Sequence, residues 1–237
     1  MKNDKINSSA LILFDIDGTL IDAGGAGRRS LDYAFYDLFG IRDALKDIRM
    51  AGMTDLRILK DGLKLHGLNG GVTVIDELRS RYLYHLQREI GNPNARVKPG
   101  VVELLRRMLP MYPVGLLTGN LNRGAAIKLS ALGLSDYFAG GAYGDDNEDR
   151  ELLLPIAVTR FYEKTGVRAA YKDCVIIGDT PKDVDAAKAH GACALAVATG
   201  GYSYGELARA GADAVFENLG DTDTVLEFIR HRIDTGE

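Results

Sequence analysis

Short apolar runs that alternate with longer helix-period stretches restrict the fold of this chain more than any other feature. In chain order the runs cover residues 10–14, 113–117, 138–143, 174–177, 193–197 and 214–216. Strands that are apolar on both faces are typical of parallel sheets covered by helices. Helical patterns at 121–132, 152–165 and 183–190 would supply the crossovers. The sequence therefore predicts an α/β fold with a doubly wound, parallel, Rossmann-like sheet.

One long segment interrupts this alternation. Between residues 22 and 97 no confident strand pattern occurs, whereas three helical patterns cover 28–39, 55–65 and 74–90. About 75 residues are too many for a loop inside a compact domain. We therefore expect an inserted all-α cap domain.

The expected cap covers residues 22–97, and the catalytic core covers 1–21 and 98–237. Glycines stand at 24, 25 and 27, and Asn-Pro and Pro-Gly pairs stand near the exit, at 92–100. Such residues are typical of hinges, so the cap is expected to close over a site on the sheet.

Composition and charge narrow the class of protein. The 237 residues are 46% hydrophobic and 26% charged, with a net charge of −4. No basic character indicates a nucleic-acid partner. No apolar run approaches the roughly 18 residues of a membrane span, and residues 1–9 lack a secretory signal. We expect a soluble, cytoplasmic protein without nucleic-acid or membrane partners, and no oligomeric state is indicated.

Acidic residues follow two of the apolar runs directly. Asp15 and Asp17 come after the first run, and Asp179 and Asp183 come after the fourth. The carboxyl ends of parallel strands meet at one sheet edge, where close carboxylates repel unless a cation binds or one is protonated. Four carboxylates would form a hard-oxygen site suited to Mg²⁺. The alternatives are a polar surface turn for the first pair and a helix N-cap for Asp183.

The run at 113–117 is followed by Thr118, Gly119 and Asn120. A hydroxyl, a small turn residue and an amide at the start of a helix can donate hydrogen bonds to a phosphate oxygen. These three residues are therefore candidate phosphate ligands, although Thr118 could equally be a helix N-cap.

Taken together, these motifs resemble the haloacid dehalogenase superfamily in its phosphatase branch. The resemblance rests on DIDGTL at 15–20, Thr118, GDTPKD at 178–183 and the position of the helical insertion, which matches a C1-type cap. Within the superfamily the chain looks most like the phosphoglycolate phosphatase and beta-phosphoglucomutase group.

The resemblance implies a role for each motif residue. Asp15 would be the nucleophile that forms an aspartyl-phosphate, and Asp17 would be the general acid and base. Mg²⁺ would be held by Asp15, the backbone carbonyl of Asp17 and Asp179, with Asp183 supporting the metal shell. Thr118 would bind the phosphoryl oxygens. The implied activity is Mg²⁺-dependent hydrolysis of a small phosphorylated metabolite.

The chain departs from the resembled pattern at the basic residue that follows the third strand, which is usually Lys followed by Pro. Here Arg150 follows an acidic stretch at 145–149, and we predict that its guanidinium lies beside Asp15. A salt bridge to that stretch is the alternative. Lys128 and Lys182 are the rival cations, and Lys128 is expected to point along the protein surface.

Substrate recognition is assigned to the cap. The candidate substrate contacts, chosen by their position relative to the resembled family's cap, are Arg28, Arg29, Met53, Thr54 and Asp55. The alternative for Arg28 and Arg29 is a solvated helix face. The sequence does not identify the substrate. A sugar phosphomutase and a non-catalytic binding module on the same fold remain as alternative functions.

Overall fold

A computed structural model describes residues 10–166 and 168–235. In chain order the elements are β1 (Leu11–Phe14), β2 (Ile21–Asp22), α1 (Ala26–Phe39), α2 (Asp55–Leu65), α3 (Val72–Glu89), β3 (Arg96–Val97), α4 (Val101–Met108), β4 (Val114–Leu117), α5 (Asn122–Ala131), β5 (Gly141–Ala142), α6 (Leu153–Thr165), β6 (Cys174–Gly178), α7 (Pro181–Lys188), β7 (Cys193–Val197), α8 (Tyr204–Arg209), β8 (Ala214–Phe216) and α9 (Thr222–Thr235).

The main sheet has six parallel strands in the order β5-β4-β1-β6-β7-β8. Leu11 and Leu13 of β1 belong to one buried apolar cluster, whereas Ile12 and Phe14 belong to another. Alternate residues of the central strand thus pack on opposite faces, and both faces are covered. The predicted α/β class and doubly wound parallel sheet are confirmed.

The strand order changes direction beside β1. After β1 the sheet grows on one side through β4 and β5, and the chain then crosses to the other side for β6, β7 and β8. Ligands of such sheets bind outside the carboxyl ends of the strands at this switch point. The loops that follow β1 and β6 therefore face the expected binding crevice.

Helices α1, α2 and α3 lie between β2 and β3, and α1 packs against α3. The strands β2 and β3 pair antiparallel, with Ile21 opposite Val97 and Asp22 opposite Arg96. The two ends of the helical segment therefore lie side by side. We call residues 22–97 the cap segment. Its boundaries as a domain stay a prediction.

Some elements differ from the sequence expectation. The strands β2 and β3 were missed because two residues carry no periodic signal. Only Gly141–Ala142 of the predicted strand at 138–143 pairs with β4, since Gly140 takes a φ of +147°. Helix α4 was also missed, although its buried residues Val101, Leu104, Leu105 and Met108 follow helical spacing. None of the described helices is long and apolar enough to cross a membrane.

Gly100 precedes α4 and provides a test of this packing. It takes a φ of +80°, and a Cβ there would lie 1.9 Å from the backbone oxygen of Leu219. Gly133 has a similar φ of +70° but no atom within 4 Å of its Cβ position. Gly133→Ala should cost about 1–2 kcal/mol of unfolding free energy from backbone strain alone. Gly100→Ala should cost clearly more, as measured by urea denaturation, and equal losses would contradict the described packing.

Candidate active site

Three buried carboxylates meet at the switch point of the sheet. Asp15 follows β1, Asp179 follows β6, and Asp183 lies in the first turn of α7. Each has an oxygen within 4.8 Å of an oxygen of the others, so that together they could hold a metal ion. The backbone N–H of Asp15 donates to the Ile177 carbonyl at 2.9 Å, which continues the sheet pairing into the site.

The charge state of this cluster favours a bound cation. Burial raises the pKa of Asp15 to about 6, even though Arg150 opposes that shift. Burial and the neighbouring Asp15 also raise the pKa of Asp179 well above its usual range. Oδ1 of Asp15 is buried and accepts no well-aligned hydrogen bond from the described residues, so that its ion pair with Arg150 is its one close charge contact there. A set of oxygen ligands with unmet negative charge fits a hard divalent ion such as Mg²⁺.

Asp183 contributes differently from the other two carboxylates. Its Oδ2 accepts hydrogen bonds from the backbone N–H and the hydroxyl of Thr180, at 3.0 and 2.7 Å, and its Oδ1 accepts from Arg150. Thr180 is the N-cap of α7 and Asp183 is the third residue of its capping box, so Asp183 caps the helix from position N3 and not as the N-cap itself. With both oxygens occupied, Asp183 is better placed to orient neighbours than to hold a metal alone.

Arg150 lies inside this cluster. Its side chain is 6% exposed, and Nη2 lies 2.9 Å from Oδ1 of Asp15 and also contacts Asp183. Nη1 donates to the backbone oxygen of Gly52 in the cap segment at 3.3 Å. The guanidinium thus lies where the sequence analysis placed it, and the alternative salt bridge to residues 145–149 is not formed.

Lys128 overturns the expectation that it would point along the protein surface. It is 3% exposed, and Nζ donates to Oδ2 of Asp17 and to Oδ1 of Asn120, both at 2.6 Å. Side chains on a helix lean toward its N-terminus, and α5 begins at the site, so a long side chain two turns along the helix can reach back. Lys182 is half exposed and pairs with Asp185 at 3.6 Å.

The loop after β4 joins the phosphate candidates to Asp17. Nδ2 of Asn120 donates to Asp17 Oδ2 at 2.8 Å and to Thr118 Oγ1 at 2.9 Å. The N-cap of α5 is Leu121, so the N-cap alternative for Thr118 is wrong. Gly119 packs against the cap segment so closely that a Cβ would lie 2.2 Å from the backbone oxygen of Met53.

A cavity of about 570 Å³ lies between the cap segment and this sheet edge. Its charged lining residues are Asp15, Asp17, Asp22, Arg28, Asp55, Lys98, Lys128, Arg150 and Asp179. The cap residues also include Leu31, Met50, Met53, Ile58 and Tyr82. The cavity is therefore a charged pocket on the sheet side that becomes partly apolar under the cap segment.

Two of the candidate substrate contacts, Arg28 and Thr54, lie in different places. Arg28 lines the cavity and donates to the backbone oxygens of Leu45 and Ile48, at 2.8 and 3.0 Å, so it also holds the loop between α1 and α2. Thr54 does not line it. Its hydroxyl donates to the Glu148 carbonyl at 2.9 Å and caps α2, which corrects its placement as a substrate contact.

Asp55, one of the predicted cap contacts, does line the cavity; it is buried and accepts from the backbone N–H of Leu121 at 2.9 Å. Other residues of the cavity were missed by the sequence analysis. Tyr82 is fully buried in the lining. The loop after β7 covers Asp179, because a Cβ on Gly200 would lie 1.7 Å from its Oδ2. The only signal for that loop was its position after a strand of the same sheet.

The comparison with known proteins agrees with this geometry. A family model described as haloacid dehalogenase-like hydrolase matches residues 10–191. The chain belongs to the haloacid dehalogenase-like hydrolase family. The resemblance stated from the sequence motifs is thereby confirmed at the level of the family.

Among its relatives, a protein of Yersinia pestis named phosphoglycolate phosphatase is 27% identical over 214 residues, covering 89% of this chain and 90% of the relative. A protein of the same name from Photorhabdus laumondii is 29% identical, covering 89% of each chain. A crystal structure of a hydrolase from Pseudomonas syringae matches with a TM-score of 0.73 and 28% identity, covering 93% of this chain and 99% of that one.

A further structure, CbbY from Rhodobacter sphaeroides in complex with phosphate, matches with a TM-score of 0.72 and 17% identity. That match covers 90% of this chain and 95% of the other. Because the two sequences are only 17% identical, this match shows a shared fold and no more.

The buried Asp55 gives a pH-dependent prediction. Burial raises its pKa from 3.8 to about 6, so ionisation costs more in the folded than in the unfolded state. The stability that the protonated carboxyl confers is therefore lost as the pH rises from about 4 to 6. Asp55→Asn should gain about 1–3 kcal/mol over the wild type in urea denaturation at pH 7.5, and much less at pH 4.5.

The control is Asp61→Asn, which removes a carboxylate paired with Arg57 on the exposed side of the same helix. It should change stability by less than about 1 kcal/mol at either pH. A pH-independent effect of Asp55→Asn would contradict the described environment of Asp55.

Proposed function

We propose that this protein is a Mg²⁺-dependent phosphatase that hydrolyses a small phosphorylated metabolite through an aspartyl-phosphate on Asp15. The observation that carries the proposal is the cluster of Asp15, Asp179 and Asp183 around the Arg150 guanidinium at the switch point. A carboxylate can attack a phosphate dianion only where the negative charge is offset by fixed cations. A cluster that combines buried carboxylates with an enclosed guanidinium provides that arrangement.

Asp15, the backbone carbonyl of Asp17 and Asp179 would hold the metal, with Asp183 orienting this shell. Mg²⁺, when bound, supplies positive charge that offsets the dianion. The nucleophile, the phosphate ligands and the general acid and base are all groups of the protein.

In the first step a carboxylate oxygen of Asp15 forms a bond to phosphorus while the bond from phosphorus to the leaving-group oxygen breaks. Thr118, Gly119, Asn120 and Arg150 would bind the phosphoryl oxygens, through the Thr118 hydroxyl, backbone N–H groups of the loop after β4 and the guanidinium.

Asp17 would complete both steps as general acid and base. It donates a proton to the departing oxygen in the first step and takes one from the attacking water in the second, which releases phosphate and restores Asp15. Its 42% exposed side chain lines the cavity, within reach of a leaving group held under the cap segment.

We take phosphoglycolate as the first substrate to test, because relatives that cover about nine-tenths of the chain carry that name. Arg28, which lines the cap side of the cavity, remains the candidate contact for the leaving group. No observation on the described residues favours a phosphomutase or a non-catalytic module. Cytoplasmic localisation and the absence of a nucleic-acid partner stay predictions.

Replacing the nucleophile tests the proposal. Asp15→Asn should abolish Mg²⁺-dependent hydrolysis of p-nitrophenyl phosphate and phosphoglycolate, because an amide cannot accept the phosphoryl group. The fold should be kept, as judged by circular dichroism, since the change removes a buried charge. Asp61→Asn is the matched control and should keep full activity. Near-normal turnover by Asp15→Asn would contradict the covalent mechanism.

Substitutions of Arg150 and Lys182 test which cation acts beside Asp15. Arg150→Ala should lower kcat/KM by about 10²–10³, because it removes a fixed cation beside the attacking carboxylate. Lys182→Ala removes a half-exposed cation outside the cluster and should change kcat/KM less than twofold. Steady-state kinetics with p-nitrophenyl phosphate measures both. An effect confined to Lys182→Ala would move the cationic role to that lysine.

A further inference from the structure

The two oxygens of the Asp17 carboxylate have different surroundings. Oδ2 accepts from Lys128 Nζ at 2.6 Å and from Asn120 Nδ2 at 2.8 Å. Oδ1 takes part in none of the hydrogen bonds found among the described residues, and Asp17 lines the cavity. One oxygen is thus fixed by two donors, and the other is left for a ligand.

The orientation of Asn120 follows from its neighbours. The Lys128 ammonium has only donors, so the Asn120 amide must turn its oxygen toward Nζ, at 2.6 Å. Its NH₂ group then faces Asp17 Oδ2 and the Thr118 hydroxyl. Lys128 therefore fixes Asp17 twice, by a direct ion pair and by setting the direction of the amide that is the second donor.

Lys128 is enclosed by the residues around it. Its side chain is 4% exposed. The Cβ position of Gly27, in the cap segment, lies 3.6 Å from Nζ, so the ammonium is covered from that side. An ammonium taken out of water is costly unless it is paired. Its hydrogen-bond partners here are the Asp17 carboxylate and the Asn120 carbonyl oxygen, and the buried Asp55 carboxylate also lies near enough to interact with its charge.

We propose that Lys128 is a positioning residue that holds the Asp17 carboxylate so that Oδ1 faces the oxygen of the leaving group. The inference rests on the proposed function, in which Asp17 protonates that oxygen. Among the described residues Lys128 forms its ion pair with Asp17 and not with the proposed metal ligands Asp15 and Asp179. Its proposed effect on the reaction passes through the Asp17 carboxylate, directly and by way of the Asn120 amide.

The nature of the leaving group separates this role from a structural one. An alkoxide needs a proton as it departs, whereas p-nitrophenolate leaves without one. A misdirected Asp17 should therefore slow alkyl phosphates and spare p-nitrophenyl phosphate. The parameter to compare is kcat/KM, which reports the steps up to phosphoryl transfer and leaves out hydrolysis of the intermediate.

The experiment compares Lys128→Met with wild type on p-nitrophenyl phosphate and on an alkyl phosphate ester. The alkyl ester is phosphoglycolate or glycerol 3-phosphate, whichever the wild type hydrolyses faster. We expect kcat/KM to fall about 100-fold for the alkyl ester, since small misplacements cost that much, and less than about fivefold for p-nitrophenyl phosphate. Lys128→Arg keeps the cation and should recover at least about a tenth of wild-type activity on the alkyl ester. The matched control, Lys188→Met, removes a surface ion pair with Asp213 and should change neither value.

A double variant tests the path of the effect. In an Asp17→Asn background, adding Lys128→Met should lower kcat/KM for the alkyl ester by less than about twofold. The effects of two substitutions are not additive when the two residues act as one unit. A full additional loss would overturn the proposal, as would equal losses on both substrate types or no loss at all. If Lys128→Met does not fold, Lys128→Gln takes its place and must show the same split.

Failure of the inference is distinguishable from failure of the proposed function. Wild-type protein without Mg²⁺-dependent turnover of any of these esters overturns the phosphatase proposal. An active wild type whose Lys128 variants show no leaving-group split overturns only the role of Lys128.

Discussion

Repulsion between buried carboxylates is the constraint on which the rest of this structure depends. Asp15, Asp179 and Asp183 are each at most 4% exposed, and one carboxylate oxygen of each lies within 4.8 Å of the others. Such a cluster is unfavourable unless cations enter it. The chain supplies the Arg150 guanidinium, and the unmet charge on Asp15 and Asp179 fits a divalent ion. The topology that brings these residues to one switch point thus also creates the need for positive charge.

The cap segment takes part in meeting that need. Arg150 donates to the Gly52 carbonyl, and the backbone N–H of Asp55 donates to the Gly119 carbonyl at 2.7 Å. The cation beside the nucleophile and the loop proposed to bind phosphate are therefore both bonded to the same stretch of cap backbone. A change in the position of this stretch would alter the contacts at both places, so the predicted cap closure would be linked to assembly of the site.

The sequence was sufficient for the parts of the site that lie next to strand ends. Asp15 and Asp179 follow buried apolar runs directly, and Arg150 opens the turn before α6, so topology alone brings them together. Lys128 was misplaced because its position in α5 says little about how far a long side chain reaches back along the helix. Tyr82 was not recognised as a lining residue because its placement depends on how the cap segment packs, which no local pattern encodes.

Direct detection of the phosphorylated residue tests the central claim most closely. The protein is mixed with Mg²⁺ and phosphoglycolate or p-nitrophenyl phosphate, quenched within its turnover time and treated with borohydride, which reduces an acyl phosphate to an alcohol. Mass spectrometry of the digested protein should find reduction at Asp15, which becomes homoserine, and at no other carboxylate. Reduction at a different residue, or an unmodified Asp15 in samples that are turning over substrate, would contradict the account.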